Sequence, residues 1–305
     1  MPTDRPTSLS NPNDLNDVGP KKINGRGSNS PVEILSLNIH GFGFKGKFGW
    51  VKGIFYSEKS DVTVFRETKC RCLSNNWVHA LWGNDNCGFI QREAIGNSGG
   101  LLVVWDTSRF MVEGAVTNEF FIAIKGKWCG SGHGSIIVNV YRPHNDEKKK
   151  KMWCALDELI NRFESAWVVC GDFNEVRCHS DRLNCTFHHA RASRLNDFIL
   201  KNNLIEILIN GRRFTSISDD GTKFSKLDRF LVNDKFINLW VDLSVVPIDR
   251  RESDHCPILL RDRIIDFGPK PFKIFDEWFN KVGVDKIIVD AWGMGVLGSR
   301  RDCIF

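Results

Sequence analysis

The chain has no run of about 18 apolar residues and no apolar stretch near its start, so it lacks the length that a membrane-spanning helix or a secretory signal needs. Its ten cysteines, at 70, 72, 87, 129, 154, 170, 178, 185, 256 and 303, form no Cys-x-x-Cys pair. Several lie inside apolar runs, where cysteine acts as a small buried hydrophobe, and no disulfide is expected. A soluble, reduced, intracellular monomer is the expectation, nuclear or cytoplasmic, with no strong basic address to choose between the two. Tyrosine occurs only twice. Strong charge of one sign is also missing. The formal net charge is +5, with four basic and three acidic side chains in residues 1–30 and seven and six in 263–305, which leaves about +3 for the middle. That mild excess does not by itself establish nucleic-acid binding, which requires Lys and Arg gathered on one face.

With 305 residues and 42% hydrophobic content, the chain can bury a large core. Residues 1–30, rich in Pro, Asn, Asp, Ser and Gly, cannot offset their ordering entropy by burial and are expected to form a disordered tail. From Val32 onward, short β-rich runs are predicted at 33–38, 62–66, 99–105, 120–127, 134–141, 167–171, 227–232 and 255–260. Helical spacing interleaves at about 47–57, 146–164, 191–203 and 234–239. The helix beginning near Glu147 opens on Lys148-Lys149-Lys150-Lys151, read as a solvated first turn. Hairpin-like spacing links 99–105 to 120–127 to 134–141 as antiparallel neighbours. The expected architecture is two mixed β-sheets packed face to face with helices outside, a four-layer α/β sandwich whose loops form one functional rim. The tryptophans Trp77, Trp82, Trp105, Trp128, Trp153 and Trp167 are assigned to core packing rather than to base stacking.

Polar residues recur where these runs meet loops. Asn38 ends Leu35-Ser36-Leu37, Glu67 follows Val62-Thr63-Val64-Phe65-Arg66, and Asp172 and Asn174 follow Trp167-Val168-Val169-Cys170. Tyr141, Asp228, Asp254 and His255 sit beside other apolar runs. Taken singly, each is ordinary turn chemistry. Together they supply what phosphate-ester hydrolysis requires: a hard-oxygen site for a metal, a group to orient and deprotonate water, and donors for the charged transition state. Glu67 is expected to hold Mg²⁺ or Mn²⁺, with Asn38 adding a neutral carbonyl ligand. His255 is expected to face phosphate with its tautomer set by Asp228, while Asp172 positions the attacking water and Asn174 and Tyr141 donate to phosphate. Cys178, His179, Cys185, His188 and His189 are too irregularly spaced for a zinc site, and a loop bordering the substrate groove is expected instead.

The segments Ile34-Leu35-Ser36-Leu37-Asn38-Ile39-His40-Gly41, Glu67-Thr68-Lys69, Tyr141-Arg142-Pro143, Gly171-Asp172-Phe173-Asn174, Leu227-Asp228-Arg229-Phe230-Leu231 and Ser253-Asp254-His255-Cys256-Pro257 resemble, in order and spacing, the motifs of the endonuclease/exonuclease/phosphatase superfamily. Asn97-Ser98-Gly99-Gly100-Leu101, Phe214-Thr215 and Arg251-Glu252-Ser253-Asp254-His255 are similar to the apurinic-type endonuclease of plant non-LTR (LINE) retrotransposons. The resemblance implies a DNA endonuclease dependent on Mg²⁺ or Mn²⁺ over residues 31–262, leaving a nick with a 3′-hydroxyl. It implies metal ligands at Asn38 and Glu67, phosphate contacts at Tyr141, Asn174 and His255, water activation by Asp172, and pairing of Asp228 with His255. It further implies support of metal or leaving-group chemistry by Asp254 and a DNA-backbone contact by Thr215. Residues 263–305 are similar to the linker that leads into reverse transcriptase in such elements, and the chain is expected to stop short of that partner region. Two positions depart from the pattern. Arg66 stands where relatives often carry Gln and is expected to set a cation beside the metal carboxylate, weakening metal binding. Ser216, where many carry Trp, is expected to remove apolar packing beneath the Asp228 loop. The alternatives are a phosphoesterase of the same superfamily acting on a small or lipid phosphoester, and an inactive element-derived remnant.

Overall fold

A computed structural model describes residues 31–263 except 44, 97, 142 and 144, together with positions 283 and 286. The expected tail over 1–30 and most of the expected linker over 263–305 lie outside the described residues. In chain order the first half comprises β1 (Glu33–Asn38), α1 (Lys45–Glu58), β2 (Val62–Arg66), α2 (Asn75–Trp82), β3 (Cys87–Arg92), β4 (Leu101–Asp106), β5 (Phe110–Thr117), β6 (Phe121–Trp128) and β7 (Gly134–Tyr141). There follow α3 (Asp146–Arg162), β8 (Ala166–Asp172), β9 (Arg182–Leu183), α4 (His189–Lys201), β10 (Ile205–Glu206), β11 (Ser216–Ile217), β12 (Phe224–Ser225), β13 (Asp228–Val232), α5 (Asp234–Leu239), β14 (Leu243–Pro247) and β15 (Ile258–Asp262).

Two six-stranded sheets result, ordered β14-β15-β1-β2-β4-β3 and β10-β13-β8-β7-β6-β5, with a small three-stranded sheet β11-β12-β9 beside them. Each large sheet contains one parallel pair, β1 with β2 and β7 with β8, and the other neighbours run antiparallel. A parallel pair needs a crossover, and α1 and α3 supply it. The polar side of α3 begins at Asn145, whose side chain accepts from the amides of Glu147 and Lys148, and its acidic first turn and terminal Arg162 complement the helix dipole.

Side chains alternate across each strand, which builds the layers. Ile34, Val62, Val64, Ile137, Val168 and Phe230 point into the space between the sheets. Leu35, Leu37 and Phe65 face α1 and α2, and Val138, Val140, Trp167 and Val169 face α3 and α4. The four-layer sandwich expected from the sequence is therefore present, with fully buried Leu, Ile and Phe side chains each contributing roughly 1.5–3 kcal/mol of transfer free energy. Trp105, Trp128 and Trp167 are buried, and Trp77, Trp82 and Trp153 pack partly buried against the outer clusters.

Two expectations need correction. β4 does not pair with β6: it lies in the first sheet beside β2 and β3, and the unpredicted edge strand β5 carries the chain across to pair with β6. β5 escapes the sequence reading because five of its last six residues are exposed and a bulge at Val112/Gly114 breaks its alternation. Lys149 is not solvated; it is 4% exposed and pairs with Asp146 at 2.7 Å, while its three lysine neighbours stay outside.

Candidate active site

The carboxyl ends of the two parallel pairs point to one rim, the usual position for a site in open sheets. Asn38 ends β1, Glu67 follows β2, Tyr141 ends β7 and Asp172 ends β8. β13 runs antiparallel to β8 in the register Asp228↔Asp172, and β15 runs antiparallel to β1 with Ser36↔Ile258. The start of β13 and the segment before β15 therefore reach the same rim, bringing Asp228, Asp254 and His255 to it. Along the inner faces the residue type changes toward this end: Ile34 gives way to Ser36 and Asn38, Val64 to Arg66, Ile137 to Asn139 and Tyr141, and Val168 to Asp172.

The innermost group is a row of charged side chains, the first pair hydrogen-bonded and the second an ion pair. Asp228 Oδ2 lies 2.6 Å from His255 Nδ1, and His255 Nε2 lies 3.8 Å from Asp172 Oδ2. Asn38 Nδ2 donates to Asp172 Oδ2 at 3.2 Å and to Glu67 Oε1 at 3.3 Å, and the backbone amide of Asn174 donates to Asp172 Oδ1 at 2.7 Å. Burial opposes charge on His255, but the carboxylates of Asp228 and Asp172 and the Nδ1 hydrogen bond outweigh it, pushing the imidazole up to about 10. Burial also raises Asp172, and the neighbouring Asp228 charge adds to it against the opposing pull of His255 and Arg66. For Asp228 the burial penalty is overcome by the His255 charge and hydrogen bond, then by Arg66 and the Thr215 hydroxyl, so it lies below the usual carboxylate range. Tyr141 is raised by burial and by the Glu67 and Asp172 carboxylates, which keeps its hydroxyl a donor.

Nearer solvent, Glu67 Oε2 and Asp254 Oδ1 stand 3.4 and 4.0 Å from His40 Nδ1, bracketing one small volume, and the Glu67 side chain is 21% exposed. The two carboxylates are hard-oxygen donors, suited to Mg²⁺ or Mn²⁺ that retain several waters, while the Asn38 amide presents Nδ2 to Glu67 and Asp172 and its Oδ1 accepts from the His40 amide. Among the described residues no three His, Cys, Asp or Glu side chains converge as metal ligands, so an ion at the rim would rest on two carboxylates and water, with Asn38 Oδ1 joining them only if that amide turned over. In the 178–189 loop, Cys178 Sγ meets Ser180 Oγ and Cys185 Sγ meets the carbonyl of Phe224.

The rim is held in unusual backbone. Among the described residues, His40, Glu67, Lys69 and Asn174 have left-handed φ of +51°, +51°, +53° and +45°, a conformation that non-glycine residues adopt rarely and at a cost. Backbone bonds from Thr68 and Lys69 to the carbonyls of Gly100 and Gly99 clamp the Glu67 turn. Gly100 has φ +87°, and a Cβ there would stand 2.3 Å from Thr68 Oγ1.

Two expected contacts are not what the structure provides. Thr215 is 1% exposed and its Oγ1 accepts from the amides of Leu227 and Asp228, both at 3.0 Å, so it holds the Asp228 turn and is not available to a DNA backbone. Arg66 does not lie beside the Glu67 carboxylate. It points inward, 0% exposed, and its Nη2 donates to Asp228 Oδ1 at 3.1 Å. Alternation along Val62, Val64 and Arg66 was the signal for that direction. Ser216 makes an isolated bridge with His255 in the small sheet. Sequence reasoning also missed Ser253, whose Oγ donates to the Asn38 carbonyl at 2.8 Å and accepts from the His255 amide at 3.1 Å, tying β1 to the histidine.

The profile of the family described as "Endonuclease-reverse transcriptase" matches residues 135–259. No curated protein sequence matches the chain. Among solved structures, the AP endonuclease LMAP from Leishmania major superposes with a TM-score of 0.61 at 15% identity, covering 77% of this chain and 88% of that one. A 3′-5′ exonuclease from Neisseria meningitidis gives 0.59 at 16% identity over 75% and 98%. The endonuclease domain of TRAS1, a telomere-specific non-LTR retrotransposon, gives 0.56 at 12% identity over 77% and 99%. The chain has the fold of these nucleases. No helix among the described residues is long and apolar enough to cross a membrane.

Proposed function

We propose that the chain is a member of the endonuclease/exonuclease/phosphatase superfamily that hydrolyses DNA phosphodiester bonds with Mg²⁺ or Mn²⁺, leaving a nick with a 3′-hydroxyl. The observation that carries this reading is the meeting, at one rim, of the Asp228–His255–Asp172 row with the carboxylates of Glu67 and Asp254, Asn38 Nδ2 joining Asp172 to Glu67. The match to the endonuclease-reverse transcriptase profile and the nuclease neighbours support it.

In this reading His255, held as an imidazolium by two carboxylates, donates from Nε2 to a non-bridging phosphate oxygen. Asp172, raised by burial, accepts a proton from the water that attacks phosphorus, the P–O3′ bond breaks, and the departing 3′-oxygen takes up a proton from solvent water at the rim to become the 3′-hydroxyl. Tyr141 and Asn174 donate to the phosphate, and the left-handed turn at Asn174 aims its side chain from the same loop as Asp172. Asn38, Glu67 and Asp254 would hold the metal, which when bound offsets charge on the phosphoryl and leaving oxygens. Thr215 acts through Asp228.

The test is conversion of supercoiled plasmid to nicked circle by purified protein with Mg²⁺ or Mn²⁺, beside Asp172→Asn and His255→Ala. Each variant is expected to lose roughly 10²–10⁴-fold in rate, and chelator to abolish the reaction. Folded wild type that leaves plasmid intact but releases phosphate from a small or lipid phosphoester would replace this reading with the phosphatase one.

A further inference from the structure

Arg66 is a guanidinium shut off from solvent, 0% exposed, between the two sheets at the depth where their inner faces turn from apolar to polar. It departs from β2 of the first sheet and ends on Asp228 of the second. Its seat is built on both sides: Nη1 donates to Ser36 Oγ of β1 at 3.0 Å and to Asn139 Oδ1 of β7 at 3.3 Å. Asn139 is itself fixed by Nδ2 donation to the Phe65 carbonyl at 2.9 Å. Asp228 divides its two oxygens, Oδ1 to Arg66 and Oδ2 to His255. A buried carboxylate with only one partner would be free to turn about χ2; one gripped on both oxygens is not. The cation also stands where two carboxylates, Asp228 and Asp172, are buried against one imidazole, an arrangement whose negative charges are not otherwise balanced.

We propose that Arg66 is a positioning residue for the candidate active site, holding Asp228 across the sheet interface in the orientation that presents Oδ2 to His255 Nδ1. The geometry of this link is independent of what the site hydrolyses; only the kinetic consequence rests on the endonuclease reading.

The experiment uses the full chain, free of metal and DNA, with ¹H–¹⁵N spectra of the histidine side chains, the His255 Nδ1 proton being assigned by its loss in His255→Gln. Wild type should show that proton at low field and protected from exchange. In Arg66→Gln, with secondary structure unchanged by circular dichroism, it should move upfield or exchange away, and Arg66→Lys should restore it in part. Plasmid nicking should follow the same order, kcat falling roughly 10–100-fold in Arg66→Gln with KM within about twofold, as for other supporting partners of a site. A folded Arg66→Gln that keeps the wild-type proton and kcat would overturn the proposal, leaving Arg66 as packing alone. If Arg66→Gln does not fold, Arg66→Gln with Asp228→Asn, which removes both buried charges, should recover the fold; failure of that pair to do so would also overturn it. Loss of the His255 proton in Arg66→Gln alongside a wild type that does not nick would uphold the link and discard the endonuclease reading.

Discussion

His255 shows how far neighbours can move one side chain. Burial alone would favour the neutral ring, yet Asp228 and Asp172 hold its proton up to about 10. A group raised in this way contributes stability that is complete below the unfolded value near 6.5 and is lost as pH rises through the folded one. Nicking that depends on the imidazolium should therefore hold through neutral pH and fall as pH approaches the folded value, and His255→Gln should flatten the alkaline loss of stability measured by urea unfolding. Thr215 carries a second prediction. Thr215→Val leaves the amides of Leu227 and Asp228 without their shared acceptor, so stability should drop by about 1–3 kcal/mol, while the salt dependence of DNA binding stays as in wild type. A DNA contact at this position would instead lower the salt slope. The polar residues at the strand ends stood out because, taken together, their types suit phosphate chemistry, and the structure brings them to one rim. Thr215, Arg66 and Ser253 were not read correctly because what they do depends on which partner stands opposite, and that is a property of sheet pairing 13, 162 and 215 residues away.

At the scale of elements, the rim loops depend on a charge network behind them. Glu206 of β10 accepts from Arg177 at 2.9 Å, Arg229 at 2.6 Å and Lys226 at 2.5 Å, and Arg229 also reaches Asp181 at 2.8 Å. These bonds lash the loop that follows Asn174 to β13. Burial disfavours the Glu206 charge, but Arg229, Lys226 and Arg177 overcome it and bring the carboxyl down to about 2. A depressed carboxyl gives stability that is present above its unfolded value near 4.3 and lost as pH falls through the folded one. Glu206→Gln, which strands partly buried cations, should cost about 3–5 kcal/mol near neutral pH, and the gap to wild type should close as pH approaches 2; urea titrations across that range measure it. Gly171 marks a second dependence. A Cβ there would lie 2.3 Å from the Val140 carbonyl, so Gly171→Ala should force β7 and β8 apart and lower stability by more than the roughly 1 kcal/mol of a typical point substitution. Regular elements with a clear period, such as α5 over 234–239, were readable to the residue. The exposed edge strand β5 and the helix α2, defined by its Ser74 and Gly83 caps, were not: β5 is broken by a bulge, and α2 buries only Val78 and Leu81.

For the whole molecule, two βαβ crossovers, one in each sheet, place four strand ends at one rim and leave the opposite end of the sandwich to the chain's entry at Pro31 and its exit at Arg263. That opposite end is lined by paired charges, Arg109 with Asp61 and Arg261 with Glu58, and holds a cavity of about 470 Å³. The sequence revealed the layered architecture because alternating apolar runs specify two-sided strands. It could not reveal that β4 and β5 belong to different sheets, because sheet membership is set by packing and not by spacing. The proposed product is a DNA nick ending in a 3′-hydroxyl. The most direct measurement is to treat nicked plasmid made by the protein with DNA ligase, and separately with a DNA polymerase, without any prior repair of the ends. Direct sealing and direct extension are predicted, since cleavage at P–O3′ leaves a 5′-phosphate and a 3′-hydroxyl; nicks that neither seal nor extend until a phosphatase has trimmed the 3′ end would contradict the account.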